Sequence, residues 1–218
     1  MEKNLGILIA DLSGYTALTE AHGAMSAADL IETFLKIVQE SLVGHSHLHQ
    51  RRGDEVMIIS ESPDDLLSTA LLLLRNSAKE NFLLLHGGIH FGPVLERENE
   101  YFGSAINFTA RIAAKASAGS FCCSREFHDA IENPKICTIE PMGTHELKNI
   151  MEEKEIFQVI TDQASFLAID PVCRMLILSE QNAIPHPHEN EVYFCSQNCL
   201  EIYELKKRSK NPGSILSN

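Results

Sequence analysis

The sequence predicts an α+β fold, a ferredoxin-like βαββαβ sandwich with appended strands, followed by a small Cys-containing module that ends in a helix. Three observations lead there. Short apolar runs and one-sided helical stretches succeed one another from Leu5 to Phe91 in the order β-α-β-β-α-β, with further strands and helices after them. The 218 residues, at roughly 150 per domain, allow one full domain plus something smaller, and an apolar content of 44% permits a packed core. Near 162–168 the character changes, and Asp170-Pro171-Val172-Cys173 opens a short piece bearing Pro and Cys. The expected organisation is a main domain over 1–163, a module over 168–206 and a flexible tail over 207–218.

Taken in order, Leu5 to Leu12 is an apolar run that reads as a strand covered on both faces. Asp11 leaves it where Ser13, Gly14, Tyr15 and Thr16 begin a turn with free backbone N–H groups. One acid and several amide donors then face one spot, as a metal-bound phosphate requires; the same acid could instead cap the short helix that follows. From Ser26 to Val43, apolar residues at Leu30, Ile31, Phe34, Leu35, Val38 and Leu42 form the stripe of a helix lying on a sheet. His45 to Gln50 alternates and Val56 to Ser60 is apolar, so Arg51-Arg52-Gly53-Asp54 reads as a hairpin turn with Asp54 at its tip. Ser62, Pro63, Asp64 and Asp65 supply a cap, a first-turn Pro and two acids to a helix reaching about Lys79. Phe82 to Phe91 reads as a buried strand, Gly92-Pro93 as a turn, and Val94-Leu95 as the start of a strand pairing back. Ser104 to Ala116 is helical, Gly119 to Ser124 a strand and Glu126 to Ile131 a shorter helix. Strands follow near Ile136–Glu140 and Glu155–Ile160, with all helices expected on one face of the sheet.

The formal charge of −12 argues against nucleic acid or an anionic membrane surface as partner. The basic end Lys206-Lys207-Arg208 with Lys210 reads as a solvated helix terminus. Met1-Glu2-Lys3-Asn4 lacks the basic start of a secretory signal, and no apolar stretch reaches the ~20 residues that span a bilayer, so a cytoplasmic location is expected. In a reducing compartment the six cysteines read as core thiols or metal ligands; Cys122, Cys123 and Cys137, in apolar strand-like context, are assigned to the core. His45, His47 and His49 share a strand face by the period of two, which suits either a metal or plain solvation.

Several of these stretches together, Ile9 to Thr16, Arg52-Gly53-Asp54, Gly87 to Val94, Tyr101-Phe102-Gly103 and Asn107 with Arg111, resemble the class III nucleotidyl cyclase catalytic domain. Gly119-Ser120, Ser124 and Leu147 to Ile150 continue the same order, so the resemblance covers about 4–161. It implies formation of a 3′,5′-cyclic nucleotide and pyrophosphate from a nucleoside triphosphate, ATP favoured over GTP, for signal transduction. It implies two Mg²⁺ or Mn²⁺ ions held by Asp11, Asp54 and the Leu12 backbone, with Ser13, Gly14, Tyr15 and Thr16 around the phosphates. Asn107 would position the ribose and Arg111 meet charge on the α-phosphate; four apart on a helix, they share a face. Lys148 matches a position that reaches the terminal phosphate. The resemblance also implies a head-to-tail homodimer whose two sites each take the acids from one copy and Asn107 and Arg111 from the other. Two positions depart from the family. Gln50 stands where the adenine-selecting Lys is expected, and Glu100 where its acidic partner is; Arg51 or Arg52 could replace the missing cation. A non-catalytic regulator that binds nucleotide or metal without turnover is the alternative.

Cys173, Cys195 and Cys199 are spaced Cys-x21-Cys-x3-Cys. With Asp170 to Met175 and Tyr193 to Ser196 they resemble the YHS domain, a small metal-associated module of the TRASH-like group, though Arg174 replaces the usual Gly. The three thiols suit Zn²⁺ or Cu⁺, with His186 or His188 as candidates for a fourth ligand and regulation by that metal as a corollary.

Overall fold

The computed structural model describes residues 2–79, 84–133, 136–160, 168–172, 176–177 and 180–210. The chain divides into two units, Met1–Gln163 and Ala164–Asn218. The first is built around β1 (Glu2–Ser13), whose alternate residues are buried on both sides: Leu8, Ala10 and Leu12 in one core, Leu5, Ile7 and Ile9 in another. β1 pairs antiparallel with β3 (Glu55–Ser60) and with β4 (Leu84–Arg97). β2 (His47–Arg52) turns back into β3 through Gly53 and Asp54, Gly53 taking a φ of 63°. The order β4-β1-β3-β2 is that of a ferredoxin-like unit. Its helices α1 (Tyr15–Ser41) and α2 (Pro63–Lys79) cover one face with Phe34, Val38, Leu67 and Leu71. Ser62 caps α2 as expected, accepting the Asp65 N–H at 3.2 Å.

Beyond β4 the sheet continues through β6 (Ser120–Ser124), β8 (Lys154–Ile160) and β7 (Thr138–His145), while β5 (Glu100–Phe102) folds onto the end of β4. The β4–β6 pair is parallel and the others are antiparallel. α4 (Arg125–Ala130) buries Phe127 in the same core as α1 and α2. α3 (Ser104–Ala113) lies against the opposite face, where Ala105 and Ala113 pack on Ile7, Ile9 and Val94.

Three expectations change. Helices do not all share one face: α3 takes the other because odd-numbered β1 residues are as apolar as even-numbered ones, so both faces need cover. Gly92-Pro93 is not a turn, since β4 runs through it. Pro93 is tolerated because β6 pairs with β4 only over His86–Ile89 and β5 only over Leu95–Arg97, which leaves position 93 outside both ladders. The reversal comes instead at Glu98 and Asn99, with φ of 55° and 63°. The short helix after Asp11 and the longer one run together as α1, broken at Gly23 (φ 80°, ψ 175°).

In the second unit β9 (Ala168–Ile169) pairs with β10 (Leu176–Ile177) and β11 (Ile184–Pro185) with β12 (Tyr193–Phe194). α5 (Gln197–Lys210) follows, carrying the helix past the expected module end at 206. Phe194 is fully buried, with Tyr203 edge-on at 5.3 Å. No helix among the described residues is long and apolar enough to cross a membrane.

Candidate active site

Asp11 stands near the end of β1, on the face of Ile9, and Asp54 in the β2–β3 turn; the β1–β3 pairing brings the two carboxyl groups into hydrogen-bond reach. Asp54 is pushed up to about 6, first by burial and then by its hydrogen bond and like charge with Asp11, against a smaller downward pull from its own backbone N–H and from His86. The Leu12 N–H donates to Asp11 Oδ1 at 2.8 Å. Two carboxyl groups side by side form the oxygen donor set that a hard divalent cation prefers. α1 begins at Gly14, in the left-handed region (φ 88°), with no side-chain cap, so Asp11 is not the helix cap. Ser13, Tyr15 and Thr16 flank that start, and Ser13 Oγ lies 3.0 Å from His86 Nδ1. His86 faces Asp11 across the β1–β4 register. Sequence reasoning missed it, because only the register sets it beside the acids.

Asn107 and Arg111 project from α3 into a cavity of about 640 Å³ that Lys148 also lines. Lys154 and His90 complete its polar wall with Glu126. Three cations against one acid make the cavity anion-attracting. His90 is buried, its Nδ1 2.8 Å from Ser124 Oγ and its ring edge-on to Phe108; burial lowers its pKa, with Glu126 opposing. Lys154, also missed, has no motif to reveal it; β8 delivers it to the cavity. Neither Asp11 nor Asp54 is among the described residues that line this cavity. One chain therefore presents the acids and the cations as two separate sets.

Gln50 is half-buried in β2 and Glu100 exposed at the start of β5. Glu100 Oε2 lies 3.8 Å from His49 Nε2, and the His49 ring meets Tyr101 edge-on at 4.8 Å. A register shift between Leu48 and Gln50 interrupts the alternation of β2, and His45 sits in the turn before the strand, so the three histidines do not share one strand face. Cys122, Cys123 and Cys137 are packed in or against the cores, and burial raises all three, Cys122 and Cys137 to about 11.

In the second unit Asp170 is fully buried, and one of its oxygens with Cys195 Sγ and Cys199 Sγ forms a cluster whose atoms lie within 4.8 Å of one another. Cys173 lies outside the described residues. His186 is turned elsewhere: its Nε2 lies 2.7 Å from Glu204 and 3.1 Å from Glu189, while Nδ1 accepts the His188 N–H. Both ring nitrogens are engaged there, apart from the cluster.

A scan against protein-family models finds no match. The chain is similar to an uncharacterized protein of Mycobacterium tuberculosis (33% identity over 128 residues, 58% of this chain and 34% of that one). It is also similar to an adenylate cyclase of Glutamicibacter nicotianae (32% over 113 residues, 51% and 28%). It thus spans about a third of the length of the curated relatives it matches. Among solved structures, the adenylyl cyclase CyaB from P. aeruginosa superimposes with a TM-score of 0.62 at 18% identity, covering 75% of this chain and 97% of that one. The guanylate cyclase domain of RhGC from Catenaria anguillulae, solved in complex with GTP, gives 0.60 at 16%, covering 74% and 98%. The first unit has the class III nucleotidyl cyclase fold. The cyclase fold explains the order of the strands and the helix α3 laid on the second face of the sheet.

Proposed function

We propose that this chain is a nucleotidyl cyclase unit, converting a nucleoside triphosphate, ATP in preference to GTP, into the 3′,5′-cyclic nucleotide and pyrophosphate. One observation carries the reading. The acid pair and the cationic cavity are complementary in charge and chemistry, yet separate within one chain, so a second copy arranged head to tail would complete two equivalent sites. Similarity to proteins named adenylate cyclases supports it.

Asp11, Asp54 and the Leu12 carbonyl would hold Mg²⁺ or Mn²⁺, which supplies the positive charge that acidifies the ribose 3′-hydroxyl and neutralises the triphosphate. Around that centre the N–H groups from Ser13 to Thr16 hold phosphate oxygens at the start of α1. Asn107 of the second copy orients the ribose, so that its 3′ oxygen meets the α-phosphorus in line with the departing pyrophosphate oxygen. Arg111 lies against the charge that develops on the α-phosphoryl oxygens, and Lys148 against the terminal phosphates that leave. As the new oxygen–phosphorus bond forms and the bond to pyrophosphate breaks, the hydroxyl proton passes to a carboxylate of the acid pair or to water. Glu100 accepts from the base's amino group, and Gln50, able to donate and accept, takes the place of a lysine. Metal at the second unit, Zn²⁺ or Cu⁺, regulates the first.

The test incubates the purified chain with ATP or GTP, each with Mg²⁺ or Mn²⁺, and identifies products by mass spectrometry. A cyclic nucleotide that disappears in both Asp11→Ala and Asp54→Ala is expected. Triphosphate binding without product under any of the four conditions would sink the enzyme reading in favour of a regulator.

A further inference from the structure

His86 reaches the site from β4, and the mechanism above leaves its ring unused. Its Cα pairs with that of Asp11, and Ser13 lies two residues further along β1, so the three side chains share the face of Ile9. The half-buried ring stands within electrostatic reach of Asp54, and its Nδ1 lies 3.0 Å from Ser13 Oγ. Ser13 is the last residue of β1, and α1 starts at once from Gly14 with no side-chain cap. The contact therefore ties the turn before α1 to a strand 73 residues away. Its direction follows from chemistry. A phosphate oxygen accepts only, so the Ser13 hydroxyl serves a phosphate by giving it its one hydrogen. Nδ1 must then carry a proton and donate it to Ser13 Oγ. A hydroxyl that accepts from an N–H is in turn a stronger donor.

We propose that His86 is a positioning residue for the triphosphate: its Nδ1–H donates to Ser13 Oγ and turns the Ser13 hydroxyl hydrogen toward a phosphate oxygen at the start of α1. The inference deepens the reading of this site as a nucleoside triphosphate site and rests on it. It gives the Ser13 side chain a part beside its backbone N–H, and it has His86 act through Ser13 rather than through the acids. An Asn at 86 sets an amide N–H at the same number of bonds from the backbone as Nδ1, so it keeps the arrangement; a Gln carries that N–H one bond too far, and an Ala removes it.

Calorimetry with Mg²⁺ measures the binding of 3′-deoxy-ATP, or of 3′-deoxy-GTP where that binds more tightly; neither has the reacting hydroxyl. The proteins are the full chain, His86→Ala, Ser13→Ala, the double variant and His86→Asn, and steady-state kinetics with the matching triphosphate run alongside. Loss of a hydrogen bond to a charged group predicts affinity about tenfold weaker in each Ala variant. The double variant is expected to be no weaker than the worse single one, because the two residues act as a unit, and His86→Asn to stay within about threefold of wild type. KM rises by the same factor while kcat stays within about threefold. Losses that multiply in the double variant overturn the proposal, as does His86→Asn binding as weakly as His86→Ala. A change confined to the Mg²⁺ concentration required would assign His86 to the acids and overturn it too. Where His86→Ala fails to fold, His86→Asn against His86→Gln reads the same contact, and equal affinity of those two overturns it. A wild type that binds the deoxy analogue yet forms no cyclic product removes the cyclase reading and leaves the variants to decide the role of His86; a wild type that binds neither analogue overturns both.

Discussion

Asp54 carries a marked electrostatic signature. Its folded pKa of about 6 stands above the ordinary 3.8, so the folded chain keeps a proton that the unfolded chain gives up between those values. The group's penalty is full above pH 6, shrinks as pH falls through 6, and is gone below about 4. Metal-free protein is therefore expected to gain stability from this group between pH 7 and pH 5. Asp54→Asn should flatten that gain and raise stability at pH 7 by on the order of 1 kcal/mol, a figure discounted because solvent reaches the group. Thermal unfolding at the two pH values checks both. Mg²⁺ should stabilise the wild type more at pH 7 than at pH 5, where protons compete for the same oxygens, and Asp54→Asn should remove that response. At Arg111, substitution by Ala should lower kcat by about 10² to 10³ while triphosphate binding stays within a few-fold, as measured by steady-state kinetics and calorimetry. Asp11 and Asp54 were legible as single positions because an acid ending an apolar run and an acid in a tight turn stand out. His86 and Lys154 were not, because pairing register and a late strand place them.

At the scale of elements, α3 determines where the cavity's cations stand, and glycines let it approach the sheet. A Cβ added at Gly88 would drive into the backbone of Ala113 and the carbonyl of Thr109. Gly88→Ala is expected to cost about 1–3 kcal/mol and to lower turnover with it, since lifting α3 displaces Asn107 and Arg111 together; melting temperature and kcat measured on one preparation would show the two falling jointly. Hydrophobic periodicity revealed the inner part of α1, which buries one stripe, whereas α2, buried all round from Leu66 to Leu74, was revealed by its capping residues and its apolar run. It missed the course of β4, where Gly92-Pro93 has the composition of a turn but the geometry of a strand paired with β1 alone at that point. It also missed that α3 needs its own face, which follows only once β1 is seen to be apolar on both sides.

For the whole molecule the separation of acids from cations makes assembly testable. Asp54→Asn and Arg111→Ala are each expected to be inactive alone. Mixed in equal amounts and allowed to exchange, half of the dimers pair one with the other, and each such dimer regains one intact site of two, so about a quarter of wild-type activity should return. No recovery, with exchange shown by light scattering or labelled subunits, would place all groups of a site in one chain. A change of composition marks the second stretch of the chain, but Asp170 comes beside Cys195 and Cys199 only through the fold, 25 residues before the cysteine whose N–H it accepts. The central place of β1 also has a consequence in time. Ile9 pairs with Met57 and with Gly88, so β1 waits on the ribosome for partners made far behind it; at roughly 5–20 residues per second that is about 4 to 16 s before both edges of an almost uninterrupted apolar strand are covered. During those seconds the segment that will carry Asp11 is a hydrophobic strand with two open edges, and slowing synthesis between Ser60 and Leu84 should raise the fraction of chains lost to aggregation.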